Sequence, residues 1–365
     1  MTIDALYYRV ISKDREFYLV PLYLILRLAS VFYSAILCAR FFLYRAGILK
    51  TRRLKSRVIS VGNLTLGGVG KTPAVMMIAE LLRQKGFKPA IISRGYKGKM
   101  EGETAVVSDG QKVLLTAEVA GDEPVMMARR LQNVPIIVGR NRYRAGKLAQ
   151  EKFGADTLVL DDAFQHLALH RDLNILLCDE ERPFGNGVVF PAGDLREPGS
   201  QCRRADLIAL TRCSATQTPG RQTPEAIEEL ERASVPVVKT ALRLESFHRA
   251  DTDATMQPES LRGKKVAAFC GIGRPDDFIK TLATAGAKVV CQKAFPDHHR
   301  FSAGDINSLE GQAKANGAQF FVTTEKDAVK LEGLTFSLPL LVARIGIIFL
   351  EGEEIFERLI SAQAE

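Results

Sequence analysis

Val58 to Pro73 reads VISVGNLTLGGVGKTP: a short apolar strand, a glycine-rich turn, and Gly70-Lys71-Thr72 opening a helix. A nucleotide phosphate cradle needs this local order. Glycines let backbone N–H groups close on phosphate oxygens without a Cβ in the way, and the new helix offers free N–H groups and the positive end of its dipole. The pattern points to ATP or GTP, with Thr65, Leu66, Gly67, Gly68, Val69, Gly70, Lys71 and Thr72 lining the cradle. Lys71 would neutralise the β- and γ-phosphates, and the Thr72 hydroxyl would ligate Mg²⁺. The strict spacing G-x-x-x-x-G-K-[ST] is not met, because Thr65 stands at its first glycine. Context carries the match instead: Ala74 to Lys85 repeats apolar residues at helical spacing (Val75, Ile78, Ala79, Leu82) and stops before Gly86.

Working outward, 365 residues suffice for two domains, and 46% hydrophobic with 25% charged residues is an ordinary globular balance. Six scattered cysteines without a C-x-x-C, and no evident cleavable signal peptide, fit a reducing cytosol and argue against a zinc module. The charge is less ordinary. Phe17 to Ala79 contains no Asp or Glu but nine Lys and Arg, more than the whole net charge of +8. Within it Tyr18 to Leu37 is nearly all apolar, followed by Phe41, Phe42, Leu43 and Tyr44, and then by the basic run Lys50 to Arg57. Pro21, Arg27 and repeated Tyr favour a helix or hairpin lying in the membrane interface over a true span or a buried core helix, with the basic run at anionic head groups. Nucleic acid is not an expected partner, since no binding module accompanies the basic cluster.

Past the cradle, short apolar runs at Pro89 to Ile92, Val134 to Val138, Thr157 to Leu160, Leu173 to Cys178 and Leu207 to Leu210 alternate with helical or loop sequence. That rhythm implies a mostly parallel sheet. Cys213 to Glu225 and His248 to Gly263 are polar, which places a boundary there. A second α/β layer restarts with Lys265 to Gly273, a helix from Asp276 to Ala285, Lys288 to Cys291, a helix from Ala303 to Ala315 and the strand Gln319 to Thr323. The expected architecture is therefore α/β: a membrane-associated N-terminal helical segment (1–50), a P-loop NTPase-like domain with a mostly parallel sheet (51–215), and a linker with a smaller C-terminal α/β domain (216–365).

Several strings carry chemistry. Thr157 to Asp162 ends a buried strand in two carboxylates, where a P-loop protein places its Mg²⁺-organising acid; Asp161 and Asp162 are the candidates, against a simple solvated acidic turn. Asp122, in Gly121-Asp122-Glu123-Pro124, is either a helix N-cap or a base. Phe295-Pro296-Asp297-His298-His299 offers an imidazole that could pair with such an acid across a cleft. Val138 to Arg144 and Leu195 to Pro198 concentrate guanidinium and carboxylate groups that either hold phosphate or decorate the surface. His166 and His170 have the i,i+4 spacing of a zinc helix but no third ligand.

Taken in order, VGNLTLGGVGKTP, SRGYKGK (Ser93 to Lys99), GDEP, VGRNR, LVLDDAFQH, PAGDLREP (Pro191 to Pro198), FCGIGRP (Phe269 to Pro275), FPDHH and TTEKDAVKL (Thr323 to Leu331) closely resemble the tetraacyldisaccharide 4′-kinase, or lipid A 4′-kinase, family of the Gram-negative envelope, over nearly the whole chain. The resemblance implies ATP and Mg²⁺ as cofactors and transfer of the γ-phosphate to the 4′-hydroxyl of an acylated glucosamine disaccharide 1-phosphate, at the cytoplasmic face of the inner membrane. It implies that Asp122 and His298 form a dyad that deprotonates the sugar hydroxyl, that Lys71 and Thr72 serve the phosphates and Mg²⁺, that Asp161, Asp162 and Glu197 lie near the metal, and that Arg142 stabilises the transferred phosphoryl group. A membrane-bound ATPase switch of the MinD or ParA kind is the alternative. It shares GGVGKT, but it carries a signature lysine directly before the two glycines, where this chain has Leu66. A GTPase is disfavoured because Thr324 to Asp327 lacks the spacing that reads guanine.

Overall fold

Two helices open the chain, α1 (Ile3–Ile11) and α2 (Val20–Arg45). There follow β1 (Arg57–Gly62), α3 (Lys71–Gln84), β2 (Pro89–Ser93), β3 (Ala105–Ser108), α4 (Ala117–Ala120), α5 (Asp122–Arg130), β4 (Ile136–Val138), α6 (Arg142–Phe153), β5 (Thr157–Asp161), β6 (Leu173–Asp179) and β7 (Leu207–Thr211). The remainder comprises α7 (Pro224–Ala233), β8 (Val237–Arg249), β9 (Thr255–Met256), β10 (Lys265–Cys270), α8 (Pro275–Thr284), β11 (Lys288–Ala294), α9 (Ala303–Ala315), β12 (Phe320–Thr324), α10 (Glu325–Ala328), β13 (Leu340–Glu351) and α11 (Glu353–Ser361). The computed structural model describes residues 3–12, 14–100, 102–213, 224–252 and 254–362. Most of the polar stretch expected at the domain boundary, 214–223, lies outside the described residues.

The strands join in the order β11-β10-β12-β13-β8-β7-β6-β1-β5-β2-β4-β3, with β9 on β8. Pairing is parallel except at β3/β4, β8/β9 and β8/β13. The first-half strands are apolar on both sides because helices cover both faces. Ile59 and Val61 face a core shared with α3 and α5 (Val75, Ile78, Val125, Met127), while Val58, Leu158 and Leu160 face one shared with Ala145 and Ala149 of α6. In the second half, Phe278 and Leu282 of α8 cover one face and Ile306, Leu309 and Ala313 of α9 the other. β1 sits between β5 and β6, so the loops leaving the C-terminal ends of these strands gather around the turn after β1.

The long β8/β13 pair, matched from Lys239 to Arg249 against Glu351 back to Leu341, joins the halves. Neither strand belongs to the alternation read from the sequence. β8 interleaves charged and apolar residues, and its partner lies about a hundred positions away. After β13 the chain returns, and α11 docks on the first half. Phe356 and Ile360 enter the core around Ile59 and Val75, and the Arg57 guanidinium donates to the carbonyls of Leu359 and Ile360.

The apolar stretch Tyr18 to Leu37 enters one continuous helix, α2, rather than a hairpin. α2, with the turn before it, is long and apolar enough to cross a membrane by length and composition, and most of it is exposed, which rules out the buried core helix. Only the stripe through Tyr23, Ser30, Tyr33, Leu37 and Phe41 is shielded, at helical spacing. There Ser30 Oγ donates to the Val189 carbonyl (2.6 Å), Tyr33 OH to that of Arg196 (3.3 Å) and Arg40 to that of Gln165 (2.9 Å). The opposite face exposes Leu24, Ile25, Leu28, Val31, Phe32 and Ile36. Such a continuous apolar face fits association with lipid.

Because Phe356 is almost fully buried, with its ring 4.8 Å from that of Phe349, Phe356→Ala is expected to destabilise the chain by about 3–5 kcal/mol, read as a lower denaturation midpoint. A midpoint unchanged from the parent would mean that α11 does not belong to that core.

Candidate active site

The turn after β1 has the openness a phosphate chain requires. A Cβ added at Gly67 or Gly68 would meet nothing within 4 Å, so the space in front of the loop is free. Gly70 stands as N-cap of α3 at φ 86°, a left-handed conformation that glycine adopts without strain, and no side chain caps the helix there. The first N–H groups of α3 and its dipole therefore face that space. Lys71 Nζ donates to Asn63 Oδ1 (3.1 Å) and lies 3.6 Å from Asp162 Oδ1. Arg212, after β7, donates to the Gly68 carbonyl (2.7 Å) and to Asp179 Oδ2 (2.8 Å).

Asp161 ends β5 with its side chain buried. Ser93 Oγ donates to Oδ2 at 2.9 Å, while Oδ1 has no hydrogen-bond partner. Burial, with the nearby charges of Glu123 and Asp162, pushes its pKa up to about 7 despite Lys71 and Ser93. Asp162 follows at φ 48°, an uncommon conformation for a residue with a Cβ, which turns its carboxylate toward Lys71 and Arg196, whose Nη1 donates to both carboxylate oxygens (2.8 and 2.9 Å). Burial works against its charge, but Lys71 and Arg196 outweigh it and hold the pKa low. Arg142, at the start of α6, is buried with its guanidinium on the carbonyls of Gly139 (2.7 Å) and Asp161 (3.2 Å).

Glu197 joins a different cluster. Fully buried, it pairs with Arg204, whose guanidinium lies over the rings of Phe41 (4.9 Å) and Phe164 (4.6 Å), and it makes no hydrogen bond or ion pair with Thr72, Asp161 or Asp162. Among the described residues no three His, Cys, Asp or Glu gather to hold a metal ion. Two carboxylates and a hydroxyl still suit Mg²⁺, which takes few protein ligands and completes its octahedron with phosphate oxygens and water. The orphaned Oδ1 of Asp161, carrying a raised pKa, is the kind of buried acid a dication would satisfy. His166 and His170 lie in irregular chain between β5 and β6 rather than on a helix, so their spacing has no metal-binding meaning.

Asp122 and His298 meet across the two halves, Nδ1 to Oδ2 at 2.9 Å. Asp122 opens α5 without capping it, so the helix-cap alternative does not describe its side chain. Burial opposes its charge, yet the His298 hydrogen bond and the Lys330 and Lys326 ammonium groups hold the carboxyl below its ordinary range. Gly121 (φ 94°) must be glycine, since a Cβ would sit 2.7 Å from the Tyr96 carbonyl. That close approach brings the Tyr96 ring to 5.9 Å from the His298 ring. His298 itself holds φ 65°. Strained backbone at both Asp162 and His298 is the kind found where side-chain aim matters more than local stability.

Thus Thr65–Thr72, Asp161, Asp162 and Arg142 lie around one turn, and Asp122 with His298 forms a pair. Asn63, Ser93 and Arg196, which seat Lys71, Asp161 and Asp162, all stand inside strings the sequence analysis quotes, but nothing local marks which atoms they serve.

Between the ordinary carboxyl pKa and about 7 the folded protein holds a proton at Asp161 that the unfolded chain does not, so stability falls as pH rises through that window. In metal-free buffer Asp161→Asn, neutral throughout, is expected to lose part of this dependence and to melt a few degrees above the parent at pH 8. A variant melting below the parent at pH 8 would count against the buried, unsatisfied carboxylate.

The family described as Tetraacyldisaccharide-1-P 4′-kinase matches residues 22–364. A relative from Syntrophus aciditrophicus, named Tetraacyldisaccharide 4′-kinase, is 40% identical over 326 residues, covering 87% of this chain and 86% of its own length. One of the same name from Pelobacter propionicus is 43% identical over 321 residues, covering 87% and 86%. Among solved structures, the "apo" form of LpxK from Aquifex aeolicus in complex with ATP matches with a TM-score of 0.73 at 34% identity, over 91% of this chain and 96% of that one.

Proposed function

The chain belongs to the tetraacyldisaccharide-1-P 4′-kinase family and is a kinase, and from that premise we propose how its site works. It transfers the γ-phosphate of ATP to the 4′-hydroxyl of an acylated glucosamine disaccharide 1-phosphate. The observation that carries this reading is the pairing of Asp122 with His298 beside a phosphate cradle: a switch ATPase needs the cradle but not a base pair supplied from a second half.

The cradle from Thr65 to Thr72 takes the nucleotide phosphates on backbone N–H groups, and Lys71 exchanges Asn63 and Asp162 for phosphate oxygens. Thr72, Asp161 and Asp162 would hold the magnesium ion, which when bound neutralises phosphate charge and orients the chain. Arg142 stands beside them as fixed positive charge for the oxygens that gain charge in the transfer, an electrostatic contribution of several kcal/mol in comparable sites. The dyad takes the proton from the sugar hydroxyl as its oxygen attacks phosphorus. The pair is complete only with the halves together, which favours transfer over hydrolysis by water. The division between 51–215 and 216–365 is then the division between phosphate cradle and base-positioning half. The apolar face of α2 and the basic run after it keep the enzyme at the cytoplasmic face of the inner membrane, where an acceptor with acyl chains resides.

Transfer of labelled γ-phosphate to the acylated disaccharide, with ATP hydrolysis measured alongside, tests the assignment. Lys71→Ala is expected to abolish transfer, and activity within threefold of the parent would remove Lys71 from the cradle. Asp122→Ala and His298→Ala should each lower kcat by about 10²–10⁴-fold with little change in the KM for ATP, and the double variant should be little worse than the poorer single. Fully multiplicative losses would mean the two act separately.

A further inference from the structure

The string TTEKDAVKL places a lysine against the imidazole of the dyad. Lys326 Nζ lies 3.3 Å from His298 Nε2, 3.0 Å from Asp297 Oδ1 and 3.5 Å from Glu123 Oε1, with most of its side chain buried. An ammonium group has three protons and no lone pair, so it can only donate. Facing it, Nε2 must present its lone pair, and the single proton of the neutral ring then sits on Nδ1, pointing at Asp122. We propose that Lys326 is a positioning residue of the dyad: its ammonium fixes the His298 proton on Nδ1 and occupies the Asp297 carboxylate that would otherwise compete for that ring. This rests on the dyad reading above.

The competition is real by geometry. His298 lies between two carboxylates, Asp122 at 2.9 Å from Nδ1 and Asp297 at 3.8 Å from Nε2. Without a cation between them, Asp297 draws a proton to Nε2, giving either the opposite tautomer or a doubly protonated ring, and a ring that already holds both protons cannot accept another. The remaining groups facing the pair are Lys330, 3.7 Å from Asp122 Oδ2 and 2.7 Å from Asp327 Oδ1, and the Tyr96 ring. Lys330 reaches the Asp122 side, so among the described residues Lys326 is the cation that guards Nε2. Burial opposes its charge, but Glu123 and Asp297 keep it protonated.

The fold fixes the backbone at Lys326. α10 is a single turn capped by Thr324, whose Oγ1 accepts from the Asp327 N–H (3.1 Å), and the fully buried Asp327 carboxylate accepts from Thr324 Oγ1 (2.7 Å) and the Gly271 N–H (2.8 Å). This ties α10 to the ends of β12 and β10 and seats the root of the Lys326 side chain at the dyad, where the ammonium can keep its 3.0 Å contact to Asp297 Oδ1 and release Nε2 when the sugar hydroxyl delivers its proton. Because Glu123 is on α5 and Asp297 on the loop after β11, Lys326 also bridges the two halves at the point where the dyad forms.

The test uses the full-length protein in detergent with ¹⁵N-labelled histidine, the His298 signals being identified by their loss in His298→Asn. The parent is expected to show the Nδ1–H tautomer at pH 7.5, and Lys326→Met the Nε2–H or doubly protonated form. Steady-state transfer to the acylated disaccharide should show kcat lowered roughly 10- to 100-fold in Lys326→Met with the KM for ATP nearly unchanged, and a partial recovery in Lys326→Arg. An Nε2–H or doubly protonated ring in the parent would overturn the proposal, even if Lys326→Met failed to fold. Parental kcat in Lys326→Met beside an inactive Asp122→Ala would overturn the role of Lys326 alone, whereas an active Asp122→Ala would sink the dyad and this role with it.

Discussion

The hydrogen bond between Asp122 and His298 is the constraint around which the two halves are arranged. Neither residue has a local reason for its position: Asp122 starts a helix it does not cap, and His298 occupies a left-handed backbone conformation. What holds them is distant structure. The β8/β13 pair joins the two halves into one continuous sheet, and ion pairs cross between the halves, Arg130 to Glu325 and Arg274 to Asp179. Exposed ion pairs contribute little, but a shielded pair such as Arg130–Glu325 resists separation once formed, because breaking it leaves an uncompensated charge.

Charge is concentrated at the ends of strands whose remaining length is apolar. Asp161 and Arg142 are both buried, and each retains an atom without a hydrogen-bond partner. Such groups weaken a fold, and this one offsets them with the continuous cores on both faces of the sheet. A catalytic cleft needs charges whose compensation arrives with its substrates, so the instability sits where binding relieves it.

Much of this was legible in the sequence because the first-half strands are buried on both faces and read as unbroken apolar runs, and because a phosphate cradle needs glycines at fixed places. The dyad residues stood out as an acid in a tight turn and an imidazole in a loop, but their meeting did not. A contact between residues separated by 176 positions has no local signature. The same holds for β8 and β13, whose alternating charged and apolar residues look like surface until each is paired with the other. Asn63, Ser93 and Arg196 are ordinary loop and strand-end residues whose importance comes from what they touch. The zinc-like spacing of His166 and His170, set aside for want of a third ligand, shows the converse: periodicity has meaning only on the element that gives it, and there the chain is irregular.

The attachment of α2 has a consequence for how substrates arrive. Its shielded stripe grips the segment from Val189 to Arg196, and that segment pairs with the cradle itself, through Leu66 N–H to the Asp194 carbonyl (2.6 Å) and Arg196 N–H to that of Leu64 (2.6 Å). With α2 in the membrane, as proposed above, an anchor bonded this directly to the phosphate loop would set the cleft at a fixed height and tilt above the bilayer surface. A lipid acceptor then reaches it by lateral diffusion in two dimensions while the nucleotide comes from solution in three. Turnover under those conditions follows the mole fraction of acceptor in the leaflet rather than its concentration in the bulk, and diluting the acceptor with inert lipid slows the enzyme even when the total amount in the vessel is unchanged.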